Sequence, residues 1–206
     1  MRGKALKRSA LLITILVAAA LLGGALAGCG GEESRAREYL ETAHTDGLEV
    51  TKNIDKLSKK EKELTQLYQK TGQVTPENIE SVRKPYRELV ELIGAVKVTA
   101  EETKGEYDKV LRLKGVEKYK DFANMQIKAL DLLTKQMELM GEYYSVFNKV
   151  AEDQAAGRPV DTTAVNGEVD AISAELVKVI QDIQNAKKEA ADIGDELNLE
   201  WLKAEK

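Results

Sequence analysis

Residues 36–68 read AREYLETAHTDGLEVTKNIDKLSKKEKELTQLY, and the spacing of their apolar positions decides the fold. Ala36, Leu40, Ala43, Gly47, Val50, Ile54, Leu57, Leu64 and Tyr68 recur at steps of three and four, the period of a helix with one face packed on neighbours. Glu61 is the one charge on that stripe. Three more segments of similar length repeat the pattern. The second runs from Ile79 through Tyr86, Ile93 and Ala100 to Val110, the third from Tyr119 through Ala129, Leu133 and Tyr143 to Val150, and the fourth from Val165 through Leu176 and Ala190 to Leu197.

Helix stop signals fall at Thr71-Gly72-Gln73-Val74, Lys114-Gly115 and Gly157-Arg158-Pro159. Thr75 before Pro76 reads as an N-cap with proline at the first helical position, and Asp161 or Thr162 as the cap of the fourth helix. No segment alternates as a strand does. The expected class is all-α: an elongated, antiparallel, up-down-up-down four-helix bundle over residues 35–206, with helices about 60 Å long at a rise of about 1.5 Å per residue.

This topology implies a register. With Ala36 level with residues 111, 119 and 201, Gly47 falls beside Ala100, Ala129 or Leu130, and Ala190, a layer of small residues where the helices approach closely. The same register sets Glu61 level with Tyr86, Tyr143 or Tyr144, and Leu176. Pro85 lies beside that layer and cannot bond the Ser81 carbonyl. Two arrangements fit. Glu61, Tyr86 and Tyr143 form a small polar pocket for a ligand, or, as is commoner, Glu61 turns outward and the tyrosines keep their hydroxyls at the surface.

Composition narrows the chemistry. The 206 residues hold one His and one Cys, too few for a disulfide or a His/Cys zinc site. Glu41 and His44 have the Glu-x-x-His spacing of di-iron bundles, which need two such motifs. A surface position beside the stripe is therefore expected for His44, and no metal or other cofactor is expected. Glu189, Asp192, Glu196 and Glu200 form an acidic stripe, read either as a solvated face or as a site for cations or a basic partner. Tyr39, Tyr119 and Trp201 gather at one end, at a lipid interface or in end-of-bundle packing. Gln126 and Gln136 are seam residues or boundary positions. Catalysis is not expected, since there is no nucleophile elbow, glycine-rich phosphate loop or carboxylate-lined cleft.

The first thirty residues have a character of their own. MRGKALKR carries four positive charges and no acid, and the next charged residue is Glu32. A basic segment, an apolar run and small residues make a secretory signal, and the run is also nearly long enough to span a bilayer as an uncleaved anchor helix; both readings keep the basic end in the cytoplasm. Leu26-Ala27-Gly28-Cys29 resembles the lipobox of bacterial lipoprotein precursors at all four positions. The resemblance implies cleavage between Gly28 and Cys29, lipidation of Cys29 with palmitate-type chains, and an extracytoplasmic domain held at the membrane. Residues 1–28 are then the signal peptide, and 29–34 the lipidated cysteine with a short tether. Loss of residues 1–28 leaves 27 basic against 35 acidic residues, a balance that excludes a nucleic-acid partner.

Lipobox, tether and Lys/Glu-rich helical domain together resemble the helical lipoproteins of Gram-positive bacteria assigned to cell-wall binding. That likeness implies a non-catalytic scaffold or cell-envelope interaction protein. The alternative is a small-ligand-binding or sensory accessory module, similar to the periplasmic four-helix domains of chemoreceptors, with the Glu61 layer as its pocket.

Overall fold

A computed structural model describes residues 31–71 and 74–199. They form four helices: α1 (Gly31–Thr71), α2 (Ile79–Leu111), α3 (Glu117–Ala155) and α4 (Thr162–Glu196). Consecutive helices pack closely, which makes the all-α, antiparallel bundle expected from the periodicity. The expected apolar stripes are the buried faces, with Leu40, Ile54 and Leu57 of α1 and Val82, Leu89 and Val96 of α2 almost fully shielded.

The ends of the helices follow local chemistry. α1 begins at Gly31, so Gly31-Glu32-Glu33-Ser34, expected as tether, is the first helical turn, with Glu32 and Glu33 favourably placed at the positive end of the helix dipole. Cys29 and Gly30 lie outside the described residues, as do the whole signal segment, Gly72, Gln73 and Trp201.

The expected Thr75 cap is corrected. Residues 75–78 make a separate turn in which the Thr75 carbonyl accepts from the N–H groups of Asn78 and Ile79. The Asn78 side chain reaches back to the Thr75 N–H at 2.8 Å, and α2 starts at Ile79. Asp161 does cap α4, its Oδ1 accepting from the N–H groups of Thr163 and Ala164 at 3.0 and 3.1 Å. Gly115 and Gly157 take positive φ at the breaks on either side of α3, as the stop signals require.

Cross-helix contacts test the register. Between α1 and α2, Lys60 pairs with Glu88 at 2.7 Å and the Lys109 ammonium lies 5.7 Å from the Tyr39 ring centre, both at the expected level. Between α1 and α3, Arg37 lies over the Tyr119 ring at 5.4 Å and Tyr144 bonds Glu61, again at the expected level.

The placement of α4 is corrected. Lys135 pairs with Glu175 and Lys118 with Glu196, whereas the expected register sets these lysines level with residues 185 and 202. The helix is therefore displaced by about two turns toward the end where α1 begins. Ala190 accordingly packs with Ala36, Leu40 and Ala43, while Ala100 belongs to the central cluster with Val50 and Ile54. The small-residue layer around Gly47 thus does not include Ala190. The apolar stripe of α4 repeats at every turn, so its sliding is selected by side-chain fit along the seams, such as Lys135 with Glu175, rather than by a local signal.

The two flanking sides of the bundle also differ. α1 and α3 approach closely at a few positions, while α1 and α4 make no such close approach among the described residues. Side chains bridge that wider seam. Arg37 Nη2 donates to the Leu197 carbonyl at 3.2 Å, and Leu197 and Leu199 pack with Ala36 and Leu40.

Ala100 is fully buried in the close-packed region, whereas Val98, two residues away, is 59% exposed. Replacing Ala100 by Leu is expected to cost about 1–3 kcal/mol through overpacking. The same enlargement at Val98 should leave stability within about 0.5 kcal/mol. Urea unfolding midpoints of the two variants give the comparison.

Candidate functional site

Three helices build a polar layer inside the apolar bundle. Glu61 sits on the α1 stripe one turn beyond Leu57, and the helical period that buries Leu57 and Leu64 buries Glu61 with them, at 8% exposure. The commoner outward arrangement is thus not the one adopted. Tyr144 of α3 donates its hydroxyl to Glu61 Oε1. Tyr143 is also buried, stacks edge-on against Tyr144 with ring centres 5.6 Å apart, and lies 4.9 Å from the Phe147 ring. Tyr86 of α2 is half-buried and packs on the same core cluster. The displacement of α4 brings Val165 and Val169 toward this level in place of Leu176, and both belong to that cluster.

Of the residues expected here, Glu61, Tyr86 and Tyr143 are gathered into one region, but the hydrogen bond is made by Tyr144. Helical spacing alone left Tyr143 and Tyr144 as equals, and only the roll of α3 about its axis separates them. Ser81 is exposed, so it stays outside the layer and the hydrogen bond that Pro85 forgoes can be replaced by water.

Burial governs the electrostatics. The Glu61 carboxyl is pushed from its ordinary 4.5 up to about 7, chiefly because its ion is desolvated, with the Tyr144 bond and the Lys62 charge opposing. The Tyr144 phenol is raised as well, by burial first and then by the neighbouring carboxylate. A carboxyl of this kind exchanges protons near neutrality.

Other candidates stand elsewhere. His44, expected at the surface, is buried at 1% exposure, and burial lowers its ring to about 4. The physical reason is that α1 contacts neighbours on both flanks of its stripe, so the shielded arc is wider than one seam and takes in His44 on one edge and Asn53 on the other. Gln136 is also buried, and its Oε1 has no hydrogen-bond partner among the described residues, while Gln126 is half-buried.

On the acidic stripe, Glu196 pairs with Lys118 at 2.9 Å. Glu189 and Asp192 join Asp121 along a shallow groove between α3 and α4, and Glu200 lies outside the described residues. Among the described residues no three His, Cys, Asp or Glu side chains converge as a metal site, and no helix is long and apolar enough to cross a membrane. A second shallow groove, between α1 and α2, is lined by Lys56, Lys59, Lys60, Glu63, Glu88 and Glu91.

Comparison with protein-family models found no matching family, and neither curated proteins nor solved structures gave a match.

Tyr144→Phe removes the hydroxyl that donates to Glu61 while keeping the ring. The expected loss is about 1–3 kcal/mol at pH 8, where the acceptor is an anion, and about 1 kcal/mol or less at pH 5, where it is neutral. Denaturant unfolding of both proteins at the two pH values measures the difference.

Proposed function

We propose that this protein is an extracytoplasmic lipoprotein, anchored to the membrane through acylated Cys29, whose helical bundle acts as a non-catalytic scaffold or interaction module of the cell envelope. The observation that carries this reading is the Leu26-Ala27-Gly28-Cys29 sequence behind a basic and apolar leader. The start of α1 at Gly31 supports it, because a bundle that begins two residues after the lipidated sulfur is held close against the headgroups. Two or three acyl chains give stable anchoring where a single chain gives only marginal binding. The long faces rich in Lys and Glu, with ion pairs such as Lys97–Glu138 and Lys104–Asp131 between helices, are the surfaces such a module presents to envelope partners.

The second reading, a ligand-binding or sensory module, is favoured by one feature of the core: a buried carboxyl bonded by Tyr144 and neighboured by Tyr143. Association with isolated cell wall supports the scaffold. A saturable ligand that shifts the NMR resonances of Tyr143 and Tyr144 supports the sensor.

Cells fed an alkyne-tagged palmitate should label the wild-type protein and retain it in the membrane fraction. Cys29→Ser should abolish the label. Undiminished labelling of the Cys29→Ser variant would overturn the anchoring.

A further inference from the structure

α2 buries one face and leaves the opposite one to solvent. Leu89, Ile93, Val96 and Ala100 are shielded in the core. Around the other side run Arg87, Val90, Gly94, Val98 and Glu101, all exposed. At about 100° per residue, the two valines lie about 40° to either side of Gly94, and Arg87 and Glu101 about 20°, so these residues make one seam along the helix.

Two features of this seam go unused within the chain. Among the described residues the large apolar side chains that stand exposed are Val90, Val98 and Val177, at 43%, 59% and 46%. Val177 is alone on α4, as scattered exposed residues usually are, whereas Val90 and Val98 share a face about two turns apart. Between them Gly94 sits mid-helix, where glycine weakens a helix relative to alanine. A Cβ placed there would meet nothing within 4 Å, so the packing of this chain does not require the missing side chain. A second helix laid closely over the valines would require it.

Charge selects which helix. Arg87 lies seven residues before Gly94 and Glu101 seven after, and Val90 and Val98 lie four to either side. Lys84 and Glu102, also exposed, stand on one flank of the same seam, one before and one after the valines. The pattern therefore mirrors itself in apolar residues and reverses in sign about Gly94.

We propose that two copies of this chain pair antiparallel through the outer face of α2, with a two-fold axis at Gly94. Turning one helix about that axis sets Arg87 opposite the partner's Glu101 and Lys84 near the partner's Glu102, and symmetry repeats both pairs at the other end. The valines are covered, and the glycines cross at the centre. A parallel pair would instead stack Arg87 on Arg87 and Glu101 on Glu101, which like charges oppose. Within their own helix these side chains make only exposed contacts, Arg87 with Glu80 at 3.4 Å and Glu101 with Lys104 at 3.1 Å, pairs that hold them weakly. One helix face is a small interface, so the pair is weak and sensitive to each charge. The pairing does not rest on the Cys29 anchor; in anchored copies it sets the two α1 starts at opposite ends.

Sedimentation equilibrium of the full-length chain in density-matched detergent reads the mass of the protein alone. The wild type should pass from one copy to two as concentration rises. Arg87→Glu and Glu101→Arg should each weaken the pair by at least about tenfold, since each reversal faces like charges twice, while circular dichroism shows the helix content unchanged. An equal mixture of the two variants should pair again, because each supplies the charge that the other has lost. A wild type that stays a single copy at every concentration leaves the seam to some other partner and overturns the proposal. Undiminished pairing of the single variants, or a mixture that does not recover, overturns it as well.

Discussion

Hiding one apolar ridge per helix from water is the constraint on which the rest of this structure depends. Each buried Leu or Ile contributes about 1.5–3 kcal/mol, and the four ridges meet along most of the bundle length. Surface ion pairs such as Lys52–Glu49 or Arg35–Glu32 are exposed and worth little beside that. The pairs between helices matter in another way. Lys60–Glu88, Lys104–Asp131 and Lys135–Glu175 lie at the edges of the apolar seams, where they favour one axial alignment over another. An apolar ridge alone slides easily by a turn, because the next turn is apolar too.

Against this background the buried polar groups stand out. His44, Asn53, Glu61, Thr103 and Gln136 all lie in the core. Thr103 is satisfied by the Thr99 carbonyl of its own helix and Asn53 by Lys56, whereas Glu61 depends on a side chain from another helix. Glu61 and His44 also respond to protons in opposite senses. Burial holds Glu61 protonated up to about 7 and His44 neutral down to about 4. They are 17 residues apart on α1, or about 25 Å, so each acts on its own part of the bundle.

The proposed attachment gives this arrangement a direction in the cell. If Cys29 is acylated as proposed, α1 begins two residues beyond the anchor, and the Glu61 region lies about 45 Å of helix farther along than that start. A scaffold and a sensor need not be built differently under such a constraint, because both use the outer end of a rod whose inner end is fixed.

By itself, the amino-acid sequence determined the helical class, the helix count, the positions of the breaks and the buried stripes, because those depend on local periodicity and on residues such as Gly115, Gly157 and Asp161 that act over a few positions. It also aligned α1 with α2 and α3 closely enough to bring Glu61 to Tyr144. Only the tertiary structure decided the placement of α4, since its apolar stripe repeats at every turn and permits several alignments of equal local quality. Only the tertiary structure buried His44, because the width of a shielded arc depends on how many neighbours flank a helix, which one helix's periodicity does not encode. The choice of Tyr144 over Tyr143 likewise rested on the roll of α3, a degree of freedom that all three partner helices set together.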